Sequence, residues 1–341
     1  MSARTRGRDE GGFALLAVTL VLALLGVAIT EFAFSMRLEA AMVRSYKNGL
    51  LARHLAEAGL HQAIREILNE AAVHGLDEDG QVTFYQSPPG GAGTPKPLPE
   101  LPRTHVPLGA GEFSYRITDE EARLNLNSGQ PLLLGKLLNL LGVEKTQQDT
   151  ITDSVEDWRD GNDTKRVNGA ESDDYLALAV PYRARDSNLQ DVSELLQIKG
   201  VTPELYHGNG DRPGLVDLVT VRSRGTVNIN TAPKLILQAI GLAPAEIDDI
   251  VQSRTANPYG VVPARYQGRR LAVGSLTFRI EAEGLIGGEP RARMVAIVRR
   301  LVGPQSGAKP LLNVYSWQSL PLKPPATDGA PPPAKDKALK S

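Results

Sequence analysis

Residues 13–30, FALLAVTLVLALLGVAIT, form an unbroken uncharged apolar run near one end of a 341-residue chain. Roughly 20 helical residues cross the hydrocarbon of a bilayer, so a run of this length reads as a membrane anchor. A cleaved secretory signal would close on small residues of the A-x-A kind. Here the run passes into Glu31, Arg37 and Glu39 instead, with residues 32–36 extending the apolar character. A buried core helix is the remaining alternative. The stretch before the run sets Arg4, Arg6 and Arg8 against Asp9 and Glu10, which favours a cytoplasmic N-terminus. Arg37, Arg44 and Lys47 on the far side weaken that bias, so charge alone leaves the orientation open.

The anchor does not stop as a membrane helix should. From Arg37 to about Ala72 there is no proline, and good helix formers dominate. Leu60, Ile64, Ile67, Leu68 and Ala71 fall on one helical face. The spacing predicts one helix over residues 13–72, its first half in lipid and its second half packed on a soluble domain. Gly49 and Gly59 are candidate bends.

Beyond it, residues 87–95 (SPPGGAGTP) mark a loop, and Phe113, Tyr115 and Ile117 alternate as in a strand. The pattern is helical from about Asp119 to Arg254. Strand patterns return at 274–284, 290–301 and 311–317, and the last stretch from Pro321 is a Pro-, Ala- and Lys-rich disordered tail. The middle holds a weak repeat. Leu124-Asn125-Leu126-Asn127-Ser128, Pro131 and an apolar run end at Gly142; Val227-Asn228-Ile229-Asn230-Thr231, Pro233 and an apolar run end at Gly241. Ser128 and Thr231 are the expected helix caps, and each closing glycine a C-terminal stop. Residues 192–205 read as helix, Gly200 turn, helix. Such hairpins invite a DNA-binding reading, but the turns lack a second glycine and their flanks are acidic. The whole chain carries a net charge of −1, so a packing module is the better reading than phosphate binding.

A basic leader ending in Gly12, then Phe13 and an apolar helix that runs into a soluble domain, resembles the class III signal of type IV pilins and pseudopilins. In that family a prepilin peptidase cuts after the glycine and the new N-terminal Phe is methylated, which implies Gly12 and Phe13 as the processing residues here. The fifth mature position, usually Glu, is Ala17, a departure that the K-type minor pseudopilin of type II secretion shares. The segments 119–127, 157–160, 169–171, 181–183, 193–205 and 227–232 follow the K-type pattern in order, and with the signal the resemblance covers about residues 7–320. It implies an α+β fold: a long N-terminal transmembrane and amphipathic helix on a pilin-like antiparallel sheet, with a large all-α domain of short helix hairpins inserted into the β part. The expected boundaries are 1–12 leader, 13–36 transmembrane, 37–74 periplasmic helix, 75–118 loop and first strands, 119–254 insert, 255–320 remaining strands, and 321–341 tail.

Residues 157–174, DWRDGNDTKRVNGAESDD, crowd acids against three basic residues. Their spacing is not that of an EF-hand, and taken alone they favour a solvated acidic loop. The resemblance reverses that reading, since K-type pseudopilins look like calcium binders through this loop. It implies one or two calcium ions, with Asp160, Asp163, Glu171 and Asp174 as ligands and Asn162 a further candidate. Trp158 and Tyr175 are expected to pack beneath. The five histidines are scattered, with His54, His61 and His74 expected on the long helix. There is no cysteine, and no common catalytic motif occurs, so an enzyme is not expected. The implied role is structural: a single-pass inner-membrane protein with its bulk in the periplasm, at the tip of the type II secretion pseudopilus, beside I- and J-type minor pseudopilins. A DNA-binding pilin-like protein, and a periplasmic binding or enzymatic protein on a pilin-like anchor, are the competing readings.

Overall fold

The computed structural model describes residues 10–69, 71–87, 93–128, 130–210, 212–301 and 310–322. The start of the leader, the centre of the 87–95 loop and the tail beyond 322 lie outside the described residues.

Helix α1, Glu10–Ile67, is a single element of 58 residues. Among the described residues it is the one helix long and apolar enough to cross a membrane. Its upper part is bare, with Phe13, Leu25, Phe34, Met42, Val43 and Tyr46 all exposed. Its lower part buries a stripe of Ala52, Leu55, Ala56, Leu60, Ala63 and Ile67. The helix ends before the expected residue 72. Strand β1, Val73–Leu76, follows at once and takes His74 off the helix.

β1 pairs antiparallel with β2, Val82–Gln86, which pairs with β3, Lys96–Pro97. β4, Val106–Leu108, and β5, Gly111–Asp119, begin a larger sheet. The chain then leaves that sheet and returns as β12, Thr277–Ile286; β13, Glu289–Leu301; and β14, Leu311–Leu320. The five strands lie in the order β14-β13-β12-β5-β4, all antiparallel. Phe113, Tyr115, Ile117, Phe278, Ile280, Met294 and Ala296 meet the α1 stripe in one core. Contact is closest at Gly284, where a Cβ would lie 1.8 Å from the Ala52 carbonyl oxygen.

The insert contains β6, Leu124–Asn125; α2, Pro131–Leu140; α3, Lys145–Arg159; α4, Ser172–Leu176; and α5, Pro203–His207. It continues through β7, Gly208–Asn209; β8, Arg212–Pro213; α6, Leu215–Leu218; β9, Val219–Thr220; β10, Val227–Asn228; α7, Lys234–Ala239; α8, Pro244–Ala256; and β11, Leu271–Ala272. It has its own core, with Leu137, Leu138, Ile151, Trp158, Leu195, Ile229, Leu237 and Tyr266 buried. It ends later than the expected residue 254, because β11 pairs parallel with β10 and closes the insert just before β12. It is also not purely helical, since β6 pairs parallel with β9 in the same manner.

The two Asn-x-Asn segments do the same work twice. Asn127 Nδ2 donates to the carbonyls of Leu189 (2.8 Å) and Val221 (3.1 Å), while its Oδ1 accepts the Leu189 N–H at 3.0 Å. Asn230 Nδ2 donates to the carbonyls of Tyr259 (3.1 Å) and Val273 (3.2 Å), while its Oδ1 accepts the Tyr259 N–H at 2.7 Å. Neither Ser128 nor Thr231 caps a helix as expected. The Ser128 hydroxyl donates to the Asn125 carbonyl and the Thr231 hydroxyl to Asp119. Gly142 and Gly241 do close their helices, at φ 76° and 95°.

Sheet and insert meet at three consecutive buried acids. Asp119 Oδ2 accepts from Asn228 Nδ2 (3.0 Å), Thr231 Oγ1 (2.6 Å) and Ser275 Oγ (2.5 Å). Glu120 pairs with Arg279 at 2.9 Å and accepts from the Thr220 hydroxyl. Glu121 Oε2 accepts the Thr277 N–H at 2.9 Å, and Arg224 stands 3.6 Å from its other oxygen. His74 is buried beside them, and burial holds it neutral, with its pKa lowered to about 3; its Nδ1 accepts the Ser275 N–H.

Three substitutions test this architecture. Gly284→Ala forces the helix off the sheet and is expected to cost about 1–3 kcal/mol, read as a fall in melting temperature. Gly135→Ala, where the new methyl meets only Thr152 Oγ1 at 3.8 Å, should leave melting unchanged or raise it. Burial first, and then the Asp119 charge, raise the Glu121 pKa to about 8. Because the folded value lies above the unfolded one near 4.5, this group's contribution is complete below pH of about 4.5 and is lost as pH rises through about 8. Glu121→Gln should therefore flatten the decline in melting temperature between those limits; an unchanged profile would remove Glu121 as its source.

Candidate metal centre

The acidic loop leaves the end of α3 and wraps back over it. Asp157, in the last turn, is wholly buried and accepts the Arg166 backbone N–H (3.2 Å) and Arg166 Nη1 (2.5 Å). The same guanidinium nitrogen donates to Asp160 Oδ2 at 2.6 Å. Gly169 sits directly over the Asp157 carboxylate, where a Cβ would fall 1.8 Å from Oδ2. Only a glycine lets the loop descend this far. Trp158 and Tyr175 form its floor as expected, both buried and edge to face at 5.3 Å.

The expected ligands lie on this one loop, in different electrostatic states. Asp160 Oδ1 accepts Asn162 Nδ2 at 2.7 Å, and Asn162 Oδ1 accepts the Thr164 N–H at 2.9 Å. Asp174 accepts the Glu171 N–H (3.0 Å) and Lys165 Nζ (3.1 Å), and its pKa lies below the usual range, chiefly through the backbone hydrogen bond. Glu171 differs. Its side chain is buried, and both carboxylate oxygens have no hydrogen-bond partner. Burial, then the charges of Asp157, Asp160, Asp186 and Asp163, raise its pKa to about 7. An isolated buried carboxylate is costly, and more so among four others.

Among the described residues no three acids or histidines stand at metal-ligating distances from one another. Arg166 bridges Asp157 and Asp160, and Lys165 holds Asp174. The donor set still suits a hard cation, which takes six to eight oxygens. Two orphaned Glu171 oxygens face a surplus of carboxylates. Two contributors were not among the expected ligands. Asp157 stood in the acidic run without being singled out, and Asp186 lies outside it, where no local pattern marks it. Asp186 is brought in by its N–H, which donates to the Trp158 carbonyl at 3.1 Å, with the residue at φ 54°.

Gly12 and Phe13, the expected processing residues, lie in the first turns of α1, with Phe13 exposed. Residues 117–208 match the family described as type II secretion system protein K. The chain is 32% identical over 120 residues to type II secretion system protein K of Pectobacterium carotovorum subsp. carotovorum, a match spanning 31% of this chain and 37% of that one. It is 28% identical over 266 residues to the Pseudomonas aeruginosa protein of that name, covering 72% and 73% of the two chains. With the Klebsiella pneumoniae protein it shares 30% over 175 residues, covering 45% and 52%. Two of these three matches thus span about half or less of the relative's length. In fold, it is similar to a chain in the crystal structure of the GspK-GspI-GspJ complex from the type 2 secretion system of enterotoxigenic Escherichia coli. The TM-score is 0.54 at 22% identity, covering 83% of this chain and all of the other. Residues 117–208 therefore carry a protein K domain, and the chain is a homologue of the K proteins of type II secretion.

Proposed function

We propose that the chain is a structural, non-catalytic minor pseudopilin of type II secretion, placed as a single copy at the pseudopilus tip. A prepilin peptidase removes residues 1–12, Phe13 becomes the methylated N-terminus, and the bulk of the chain lies in the periplasm beside I- and J-type minor pseudopilins. The observation that carries this reading is the division of α1. One part is sealed against the sheet. Above it Leu38, Met42, Val43, Tyr46 and Leu50 stand exposed past the end of the lipid-length run. Apolar side chains on a helix in water call for neighbours, and helices of companion subunits supply them. Ala17 adds support. A Glu at that position in a lipid-like environment would need a cationic partner, which a subunit with nothing above it lacks. The insert, built on a core of its own, is too bulky to repeat along a thin filament.

The test is co-expression of the full chain with prepilin peptidase and the I- and J-type proteins. Expected are loss of residues 1–12 by intact mass and a one-to-one-to-one complex in detergent. An uncut chain, or a homopolymer that ignores the other two proteins, would count decisively against the proposal.

The acidic loop takes calcium in this reading. Glu171, Asp160, Asp163 and Asp174, with the Asn162 carbonyl and the buried Asp157 close by, would hold it once Arg166 and Lys165 release their carboxylates. The ion supplies charge neutralisation and a fixed loop, not catalysis. A site filled to a hundredfold excess over its Kd stabilises the chain by about 2.7 kcal/mol, which for a chain this size raises melting by roughly 5 °C. Calcium should give such a rise over chelator in the wild type and none in Glu171→Gln with Asp160→Asn. Superimposable wild-type melting curves would leave the loop as a solvated acidic turn.

A further inference from the structure

β14 is the outer strand of the main sheet, and among the described residues nothing pairs with its free edge. Its ten residues, LLNVYSWQSL, contain no charge and no proline. Edge strands are ordinarily shielded by lysines, prolines or bulges, because their free N–H and C=O groups template further pairing. Here the shield is one irregularity, a register shift between Ile297 and Val298 that leaves Tyr315 unpaired in the ladder.

That tyrosine sits between two arginines. The Arg222 guanidinium, from the insert, lies 5.0 Å above its ring, and Arg299 Nη1 donates to its hydroxyl at 3.3 Å. Arg222 otherwise donates to the Gln190 carbonyl, and among the described residues neither arginine has a carboxylate partner. Arg299 Nε is buried with no hydrogen-bond partner. The acids nearby are engaged elsewhere: Glu120 with Arg279 and Arg123, and Asp191 with the N–H and hydroxyl of Ser193. A cleft of about 430 Å³ opens here between sheet and insert, lined by Arg222 and by Ser316 and Gln318 of the edge itself. Glu120 and Asp191 line the same cleft as Arg222 and Arg279, and with Arg299 at the Tyr315 hydroxyl the three arginines outnumber the two acids beside an unprotected backbone edge.

We propose that this edge and cleft bind an extended, acidic segment of a partner protein, added antiparallel or parallel to β14 as a sixth strand with a carboxylate side chain directed to Arg222. Strand addition draws affinity from main-chain hydrogen bonds and specificity from side-chain pockets. Other occupants fit less well. A second β14 brings no carboxylate. The chain's own residues 323–341 carry four lysines against two aspartates, and prolines at 324, 325 and 331–333 lack the N–H that pairing needs.

The experiment uses the full chain in detergent and, as probe, a labelled peptide of about ten residues alternating Glu with Val and Thr, with a Lys-for-Glu peptide as its counterpart. Expected are saturable binding of the acidic peptide by fluorescence anisotropy, slowed amide exchange confined to residues 311–320, and at least tenfold weaker binding of the basic peptide. Arg222→Gln, with unchanged melting, should weaken the acidic peptide about tenfold, the size of one charge-assisted contact of about 1.4 kcal/mol. The peptide charge swap on the unaltered protein keeps the test independent of how the variant folds. Equal affinity for the two peptides, no binding up to about 1 mM, or protection elsewhere than β14 would overturn the proposal. So would glutarate competing fully with the peptide, which would mark a simple carboxylate site.

Discussion

A single carboxylate decides how the two halves of this protein are joined. The chain leaves the sheet at Asp119 and returns at Thr277, and between them lies a unit with its own core. Asp119 Oδ2 gathers Asn228 and Thr231 from the second half of the insert and Ser275 from the segment just before the returning strand. Its Oδ1 accepts the Glu121 N–H at 2.8 Å, which turns the departing chain. Burial pushes this acid toward the neutral form, and four donors offset part of that cost. Remove the carboxylate, and donors from three segments are left buried without an acceptor. The orientation of the insert against the sheet, and hence the cleft beside β14, rests on this point.

The two Asn-x-Asn segments explain why the insert can be so loosely helical and still hold together. Its helices are short, and short helices are marginal without tertiary support. In each half an asparagine side chain ties the first strand to a distant loop and to the parallel strand that closes the unit, Asn127 in one and Asn230 in the other. The repeat was visible in the sequence, but its purpose was misread. Helix capping is a local use of Ser128 and Thr231, and local chemistry is what a sequence displays. Their hydroxyls are spent on a carbonyl and on Asp119, partners set by tertiary structure.

The same distinction runs through the rest of the molecule. The long helix and the three late strands were legible because periodicity is written residue by residue. The end of the insert was not, since β11 is two residues long and exists only by pairing with β10. In the acidic loop, the crowding of Asp160, Asp163, Glu171 and Asp174 was plain, while their unequal states were not. Arg166 satisfies two carboxylates, Lys165 a third, and Glu171 is left bare by burial that no spacing rule reports. Asp186 joins them only through the folded chain, by way of the Trp158 carbonyl.

That unequal distribution gives the loop a mechanical consequence. Arg166 neutralises Asp157 and Asp160 but is held from its own loop, so it can close the loop without fixing anything beyond it. Glu171 lies at the start of α4, and the segment that follows runs through Tyr175 to Tyr182, whose rings stack at 5.2 Å over Trp158. A cation shared by Glu171 and Asp160 would tie that segment to the end of α3 and release Arg166 toward solvent. In its absence the repulsion felt by Glu171 acts against the same closure, and protonation is the means left to relieve it. Two charge states would relieve that repulsion, one with the acid protonated and, in the proposed reading, one with a cation bound. Of these, only the second would persist well above the raised pKa of Glu171.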